Sequence, residues 1–318
     1  MSIRPLTLVE YIGQEEVKKQ VRVLIDSAKK RVESLDHIIL AGPPGLGKTT
    51  LATVIATEMG SQIKVTSAPV IEKKGDIVGL LTSLKDGDIL FIDEIHRLSP
   101  AFEEILYPAM EDFKLDIIIG GGVGKKRYSK AITLDLSRFT LIGATTRIGM
   151  LSDPLLSRFG VILTLDYYTE GELSEIVKRV AQIMAVEIEE EACMEIARHS
   201  RGTPRIANKI LKRVYDFSLS HNRERIDTDT VRQALRLFSI KDYGIDSLML
   251  KYLRILVESF HGGPIGLTTL CSALNEDRKT IEEVIEPFLL RMGFIKKTKV
   301  GRVAQGKAFE FLSNFRDT

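Results

Sequence analysis

Cysteine is scarce in this chain: Cys193 and Cys271 are the only two among 318 residues, far apart and without metal-like spacing. Each lies among apolar helical residues, which excludes a disulfide scaffold and points to reduced core thiols in a cytoplasmic protein. An excess of charge of one sign is missing too. The 45 Lys and Arg nearly balance 43 Asp and Glu, for a net charge of +2. Any nucleic-acid surface must therefore be local. No apolar run approaches a membrane span, and no signal-length segment follows Met1-Ser2-Ile3-Arg4-Pro5. What is present, 44% apolar and 28% charged residues, is an ordinary globular composition. The length allows about two or three domains.

Glycine gathers in one stretch. Gly42-Pro43-Pro44-Gly45-Leu46-Gly47-Lys48-Thr49 fits the phosphate-loop pattern GxxxxGK[ST], between the apolar run His37 to Leu40 and a helical run from Thr50 to Met59. Such glycines let backbone N–H groups turn toward an anion, and the helix that follows adds its positive end. Gly42, Gly45, Leu46, Gly47, Lys48, Thr49 and Thr50 form the expected nucleotide-binding set. Lys48 would reach the β and γ phosphates of ATP, and Thr49 would place its hydroxyl on Mg2+. A glycine-rich turn that merely caps a helix is the plain alternative, and the strand and helix on either side weigh against it.

The chain around this loop reads as an α/β, parallel-sheet domain. A mixed helix from about Gln14 to Lys30 precedes the loop, and the four apolar residues Ile89-Leu90-Phe91-Ile92 predict a central strand buried on both faces. Asp93 and Glu94 follow at its carboxyl end, where ligands gather in open α/β sheets. Asp93 would hold the Mg2+ shell and Glu94 would polarise an attacking water. Two strands at about residues 115–136, joined by a glycine-rich basic tip, predict an inserted hairpin. The strand Phe139 to Ala144 ends in Thr145-Thr146-Arg147, where a polar group could sense a γ-phosphate. Arg158 stands just ahead of the last core strand, Val161 to Leu165, a position usually given to a surface charge.

Beyond residue 168 the texture changes. Helices at about Glu170 to Met184, Glu189 to Arg198, Pro204 to Leu219 and Asp229 to Phe238 predict a small all-helical lid over 169–243, with Asp166 to Thr169 as a hinge. Pro204 reads as the first residue of its helix, so Arg205 sits in the first turn. A cation there opposes the helix dipole by several tenths of a kcal/mol unless an anion such as a nucleotide phosphate faces it. Residues 244–318 follow the order helix, helix, helix, wing, that of a winged helix. Arg291, Lys296, Lys297, Lys299, Arg302 and Lys307 have no acid among them, whereas the third helix carries Glu282, Glu283 and Glu286. This predicts a wing that touches DNA phosphates without reading sequence, against the alternatives of a solvated hairpin or a protein-binding winged helix.

Taken in order, Gly42 to Thr49, FIDEIHRL at Phe91 to Leu98, LIGATTR at Leu141 to Arg147, Ser157-Arg158-Phe159-Gly160 and SRGTPRIA at Ser200 to Ala207 resemble the AAA+ ATPases. More narrowly, the chain resembles the RuvB family, bacterial motors that drive branch migration of Holliday junctions. The resemblance spans nearly the whole chain and implies an ATP hydrolase with a large ATPase domain (1–168), a lid (169–243) and a winged-helix domain (244–318). Lys48 and Thr49 match its Walker A pair, Asp93 and Glu94 its Walker B pair, Thr146 sensor 1, Arg158 the arginine finger acting across subunits, and Arg205 sensor 2. Ile12, Tyr168 and Pro204 match the residues around the adenine. Arg302, with Lys297 and Lys299, is the implied DNA contact, and Ile117, Ile118, Ile119 and Ile132 the implied contact with RuvA. The family further implies a homohexameric ring on duplex DNA. The chain departs from the pattern at Leu156, two residues before the finger, where an arginine is common, and in a longer, more basic hairpin tip. An alternative use of the same parts is a clamp-loader-like subunit that employs ATP binding as an assembly switch.

Overall fold

The structure, a computed structural model, describes residues 3–121 and 128–314. The chain divides into two compact units, Met1–Ile183 with Thr203–Arg205, and Met184–Gly202 with Ile206–Thr318.

The first unit is built on a parallel sheet. In chain order its elements are α1 (Glu15–Arg31), β1 (Ile38–Ala41), α2 (Lys48–Met59), β2 (Ile63–Ser67), α3 (Lys74–Thr82), β3 (Ile89–Asp93), α4 (Pro100–Glu111), the antiparallel pair β4 (Lys114–Gly121) and β5 (Tyr128–Asp135), β6 (Thr140–Thr145), α5 (Asp153–Leu156), β7 (Val161–Thr164) and α6 (Glu170–Ile183). Five strands pair in the order β2-β3-β6-β1-β7. The inner strands β1 and β6 are buried at every position, and β3 over Ile89–Ile92. Helices on both faces demand such unbroken apolar runs, so period-2 alternation is absent. On one face, Ile39, Ile77, Leu90, Ile92, Leu106 and Phe139 belong to a single apolar cluster. The register pairs Ala41 with Thr145 and Ile92 with Gly143, which brings the phosphate loop, Asp93 and the end of β6 to one rim of the sheet. Gly143 permits this spacing: a Cβ there would lie 2.8 Å from Ile95 Cδ1 and 2.9 Å from Ile39 Cδ1.

His37 ties the middle of the unit together. Its Nδ1 accepts the Leu141 backbone N–H at 2.9 Å, and Nε2 bonds the Met110 carbonyl at 3.1 Å. Burial lowers its pKa.

The first unit extends past residue 168 to take in α6. Arg179 on α6 donates to the Ile3 carbonyl at 2.9 Å and pairs with Glu10 at 3.1 Å.

The second unit holds β8 (Glu187–Ile188), α7 (Glu190–Arg198), most of α8 (Pro204–Ser220), β9 (Arg225–Ile226) and α9 (Thr228–Leu237), followed by α10 (Ser247–Arg254), α11 (Leu267–Leu274), α12 (Arg278–Thr280), α13 (Glu286–Arg291), β10 (Ile295–Thr298), β11 (Gly301–Ala304) and α14 (Gly306–Ser313). The lid portion is not all-helical as expected. Glu187–Ile188 and Arg225–Ile226 form a short parallel ladder, too short for any periodicity to reveal. Two expected continuous helices contain π turns: α10 runs into Ile255–Ser259, and Ile281–Ile285 joins α12 to α13. Tyr252, Leu256, Leu270, Ile285, Leu289, Phe294 and Phe311 form the winged-helix core. Arg201 joins the two parts of this unit, donating to the Gly244 carbonyl at 2.6 Å and pairing with Asp246 at 2.8 Å.

Candidate nucleotide site

The phosphate loop leaves β1 at Gly42 with φ of 136°, and Gly45 and Gly47 adopt φ of 84° and 96°. At Gly42 no other residue fits, since a Cβ would stand 2.5 Å from the Leu165 carbonyl oxygen. The loop therefore curls with its backbone turned inward, and α2 begins at Lys48. Lys48 is 7% exposed, and its ammonium donates to the Gly42 and Pro43 carbonyls at 2.8 and 2.9 Å. Burial lowers its pKa, with Asp93 and Glu94 opposing the shift and Arg205 adding to it. Two acids and two cations thus converge electrostatically on one point of the rim. Thr49 and Thr50 are half-buried in the first turn of α2.

Glu94 leaves β3 in the left-handed region, φ 51° and ψ 40°, unusual for a glutamate. Its own N–H donates to Asp93 Oδ1 at 2.9 Å. The carboxylate is held from two sides: Thr146 Oγ1 donates to Oε2 at 3.4 Å, and His96 Nε2 lies 3.3 Å from the same oxygen. His96 Nδ1 in turn meets Thr145 Oγ1 at 2.9 Å. Sequence reasoning finds Glu94 and Thr146 but misses His96. The available signal is its place three residues after Asp93, beside a strand end that already looks functional.

Tyr168, 7% exposed, donates to Tyr11 Oη at 3.2 Å and lies 3.3 Å from the Leu46 carbonyl. Burial pushes the Tyr168 hydroxyl up to about 12, and that of Tyr11 well above its ordinary value, so both stay neutral. Tyr11, which sequence reasoning also misses, closes over the loop, with its oxygen 3.0 Å from where a Cβ on Gly47 would stand. Ile12 beside it is half-buried. On the opposite approach α8 starts at Pro204, as expected, and the Arg205 N–H donates to the Gly45 carbonyl at 3.4 Å. The Arg205 Cβ lies 3.2 Å from the Cβ position of Gly45. Lys48, Asp93, Glu94, Thr146, Tyr168, Pro204 and Arg205 therefore lie about one site.

Arg158 belongs elsewhere. It is not a free surface charge: its side chain is 19% exposed, Nη1 donates to the Pro154 carbonyl at 2.6 Å, and Nη2 pairs with Glu111 at 3.2 Å. The guanidinium lies 4.3 Å above the Tyr107 ring.

In the hairpin, Ile117 pairs with Ile132 across β4 and β5, and Ile117 packs on the core of its own unit rather than standing free. The side chains of Ile118 and Ile119, and the basic tip with Gly122, Gly124, Lys125, Lys126 and Arg127, lie outside the described residues.

The wing differs from expectation at its main residue. The Arg302 side chain is 13% exposed and turned inward, with Nε donating to Glu286 Oε1 at 2.7 Å and Nη2 3.4 Å from Glu282. Lys297 pairs with the fully buried Glu286 at 2.7 Å, and Tyr252 donates to the same carboxylate at 3.2 Å. The acids of the third helix thus neutralise two of the three expected DNA contacts. Lys299, at the exposed tip, is the third.

Among the described residues no helix is long and apolar enough to cross a membrane.

Comparison with known proteins places these features in one family. The model of the Holliday junction DNA helicase RuvB P-loop domain matches residues 3–165, that of the RuvB AAA lid domain residues 168–241, and that of the RuvB C-terminal winged helix domain residues 242–313. A curated relative from Clostridium kluyveri, the Holliday junction branch migration complex subunit RuvB, is 52% identical over 99% of this chain and 89% of its own length. Among solved structures, the Thermotoga maritima RuvB Holliday junction branch migration motor is 49% identical, with a TM-score of 0.87 over 98% of both chains. A point mutant of that Thermotoga protein gives 0.88 at the same identity and coverage.

Proposed function

The chain belongs to the RuvB family, and from that premise we propose that it is an ATP-hydrolysing DNA motor of Holliday junction branch migration, working in a complex with RuvA. The observation that supports the reading best is the gathering of Lys48, Asp93, Glu94, Thr146 and Arg205 about one rim of the sheet, on a loop whose first glycine leaves no space for a Cβ. That loop fits the phosphates of ATP. Thr49 and Asp93 supply the oxygen donors that Mg2+ prefers when it shares its shell with phosphates and water. Such an ion needs no dense acidic cage, and among the described residues none is found. When bound, Mg2+ would neutralise charge on the transferring phosphoryl group.

In this reading Lys48 draws the β and γ phosphates into the loop, and Glu94 accepts a hydrogen bond from the attacking water and orients it. Thr146 and His96 fix the Glu94 carboxylate, so the water is placed rather than merely present. Arg205 answers phosphate charge from the α8 side, while Ile12, Tyr168 and Pro204 enclose the base. Arg158 acts on the site of a neighbouring copy in a homohexameric ring, a contribution of about a thousandfold or more in such enzymes. The hairpin of β4 and β5, the segment that carries Ile117, Ile118, Ile119 and Ile132, meets RuvA. The wing meets duplex DNA through Lys299, with Arg302 and Lys297 holding the wing in place.

The test is ATP-dependent resolution of a synthetic four-way junction, with and without RuvA. The chain should separate the junction arms when ATP and RuvA are present, and the Lys48→Ala chain should not. Intact ATP hydrolysis with no strand separation under any condition would sink the motor reading and favour an assembly switch.

A further inference from the structure

Three residues of α4, each four after the last, form one stripe: Glu103, Tyr107 and Glu111. Residues at this spacing stack on one helix face. The whole stripe is spent on the segment that carries Arg158. Glu103, 7% exposed, accepts from Ser152 Oγ at 2.5 Å and from the Tyr107 hydroxyl at 3.0 Å, and Ser152 caps α5 by accepting the Leu155 N–H. Tyr107 presents its ring to the Arg158 guanidinium at 4.3 Å, and Glu111 meets its Nη2 at 3.2 Å. The Nε donor of Arg158 is buried without a hydrogen-bond partner among the described residues. Protein interiors rarely leave such a group unmet, so this guanidinium is oriented by its platform and not by a full set of hydrogen bonds.

We propose that Tyr107 is a positioning residue for Arg158: its ring face fixes the plane of the guanidinium that the subunit offers to its neighbour. The inference rests on the reading of Arg158 as the finger acting across subunits. Glu111, more than half exposed, sets which way the guanidinium points along the ring. Nη1 and Nη2 each carry a second N–H beyond the bonds to Pro154 and Glu111, and the ring leaves these edge donors available where a second carboxylate in its place would occupy them. Because α4 begins seven residues after Asp93, the platform is also built from the segment that follows the subunit's own acidic pair.

The test is a double-mutant cycle on the full chain, measured as kcat and KM for ATP in the presence of duplex DNA. Tyr107→Phe keeps the ring and loses only the hydroxyl bonds, so kcat should stay within about twofold of the parent. Tyr107→Leu should lower kcat about tenfold with little change in KM. Adding Tyr107→Leu to Arg158→Ala should cost nothing further, because the ring acts only through the arginine. If Tyr107→Leu fails to fold, a trifluorinated phenylalanine in place of Tyr107 keeps the shape while removing the negative ring face, and it should reproduce the kcat loss. The proposal is overturned if Tyr107→Phe falls as far as Tyr107→Leu, if the double variant falls by the product of the two single effects, or if the fluorinated ring behaves like phenylalanine. A parent-like Arg158→Ala would instead overturn the finger reading itself, which separates the two failures.

Discussion

His37 shows what a single buried titratable side chain does to this fold. Its neutral form satisfies two elements at once, accepting from Leu141 on β6 and bonding Met110 on α4, and burial holds its pKa below the ordinary value of 6.5. The unfolded chain therefore takes up a proton before the native state does, so stability is fully present above that value and falls as pH drops below it. The loss continues until the pH reaches the lowered native pKa. Thermal unfolding of the parent should show this decline as pH falls below about 6.5, and His37→Gln should flatten it. An unchanged slope in the variant would assign the decline to other groups. The residues whose place in the fold is legible in the sequence are those whose setting is local. Gly42 through Thr49 need only a strand before and a helix after, and Asp93-Glu94 only the end of an apolar run. His96 escapes because its meaning comes from Thr145, 49 residues away. The ion pair of Arg302 escapes for the same reason, since Glu286 is set against it only when the wing folds back on the third helix.

At the scale of elements the wing is the clearest case. Strands β10 and β11 are short, and what fixes them is the carboxylate of Glu286, shared by Arg302, Lys297 and Tyr252. Breaking a buried pair leaves uncompensated charge, so Glu286→Ala should reduce the stability of the second unit by about 3 kcal/mol. Denaturant unfolding followed within that unit would register it, and a change below about 0.5 kcal/mol would show the cluster to be dispensable. The two long helices of the winged portion are legible as apolar stripes, but their π turns are not, because a one-residue insertion barely alters the period. The β8–β9 ladder escapes for want of length. The sheet order is not readable either: nothing in β6 itself says that it lies between β3 and β1.

For the whole molecule, the role proposed for Arg158, which is held by Glu111 and the Tyr107 ring, means dependence on a neighbour. Mixing Lys48→Ala with Arg158→Ala chains should give ATPase rates that vary nonlinearly with the ratio, passing through a maximum, since a parent-like site forms wherever the intact loop of one chain meets the intact arginine of another. Rates that interpolate linearly between the two variants would place both residues in the service of a single chain. The contact between Gly42 and the Leu165 carbonyl bears on the same question from a different side. With no room for even one carbon between them, the first residue of the phosphate loop and the residue that follows the last strand are coupled like the two faces of a keyed joint.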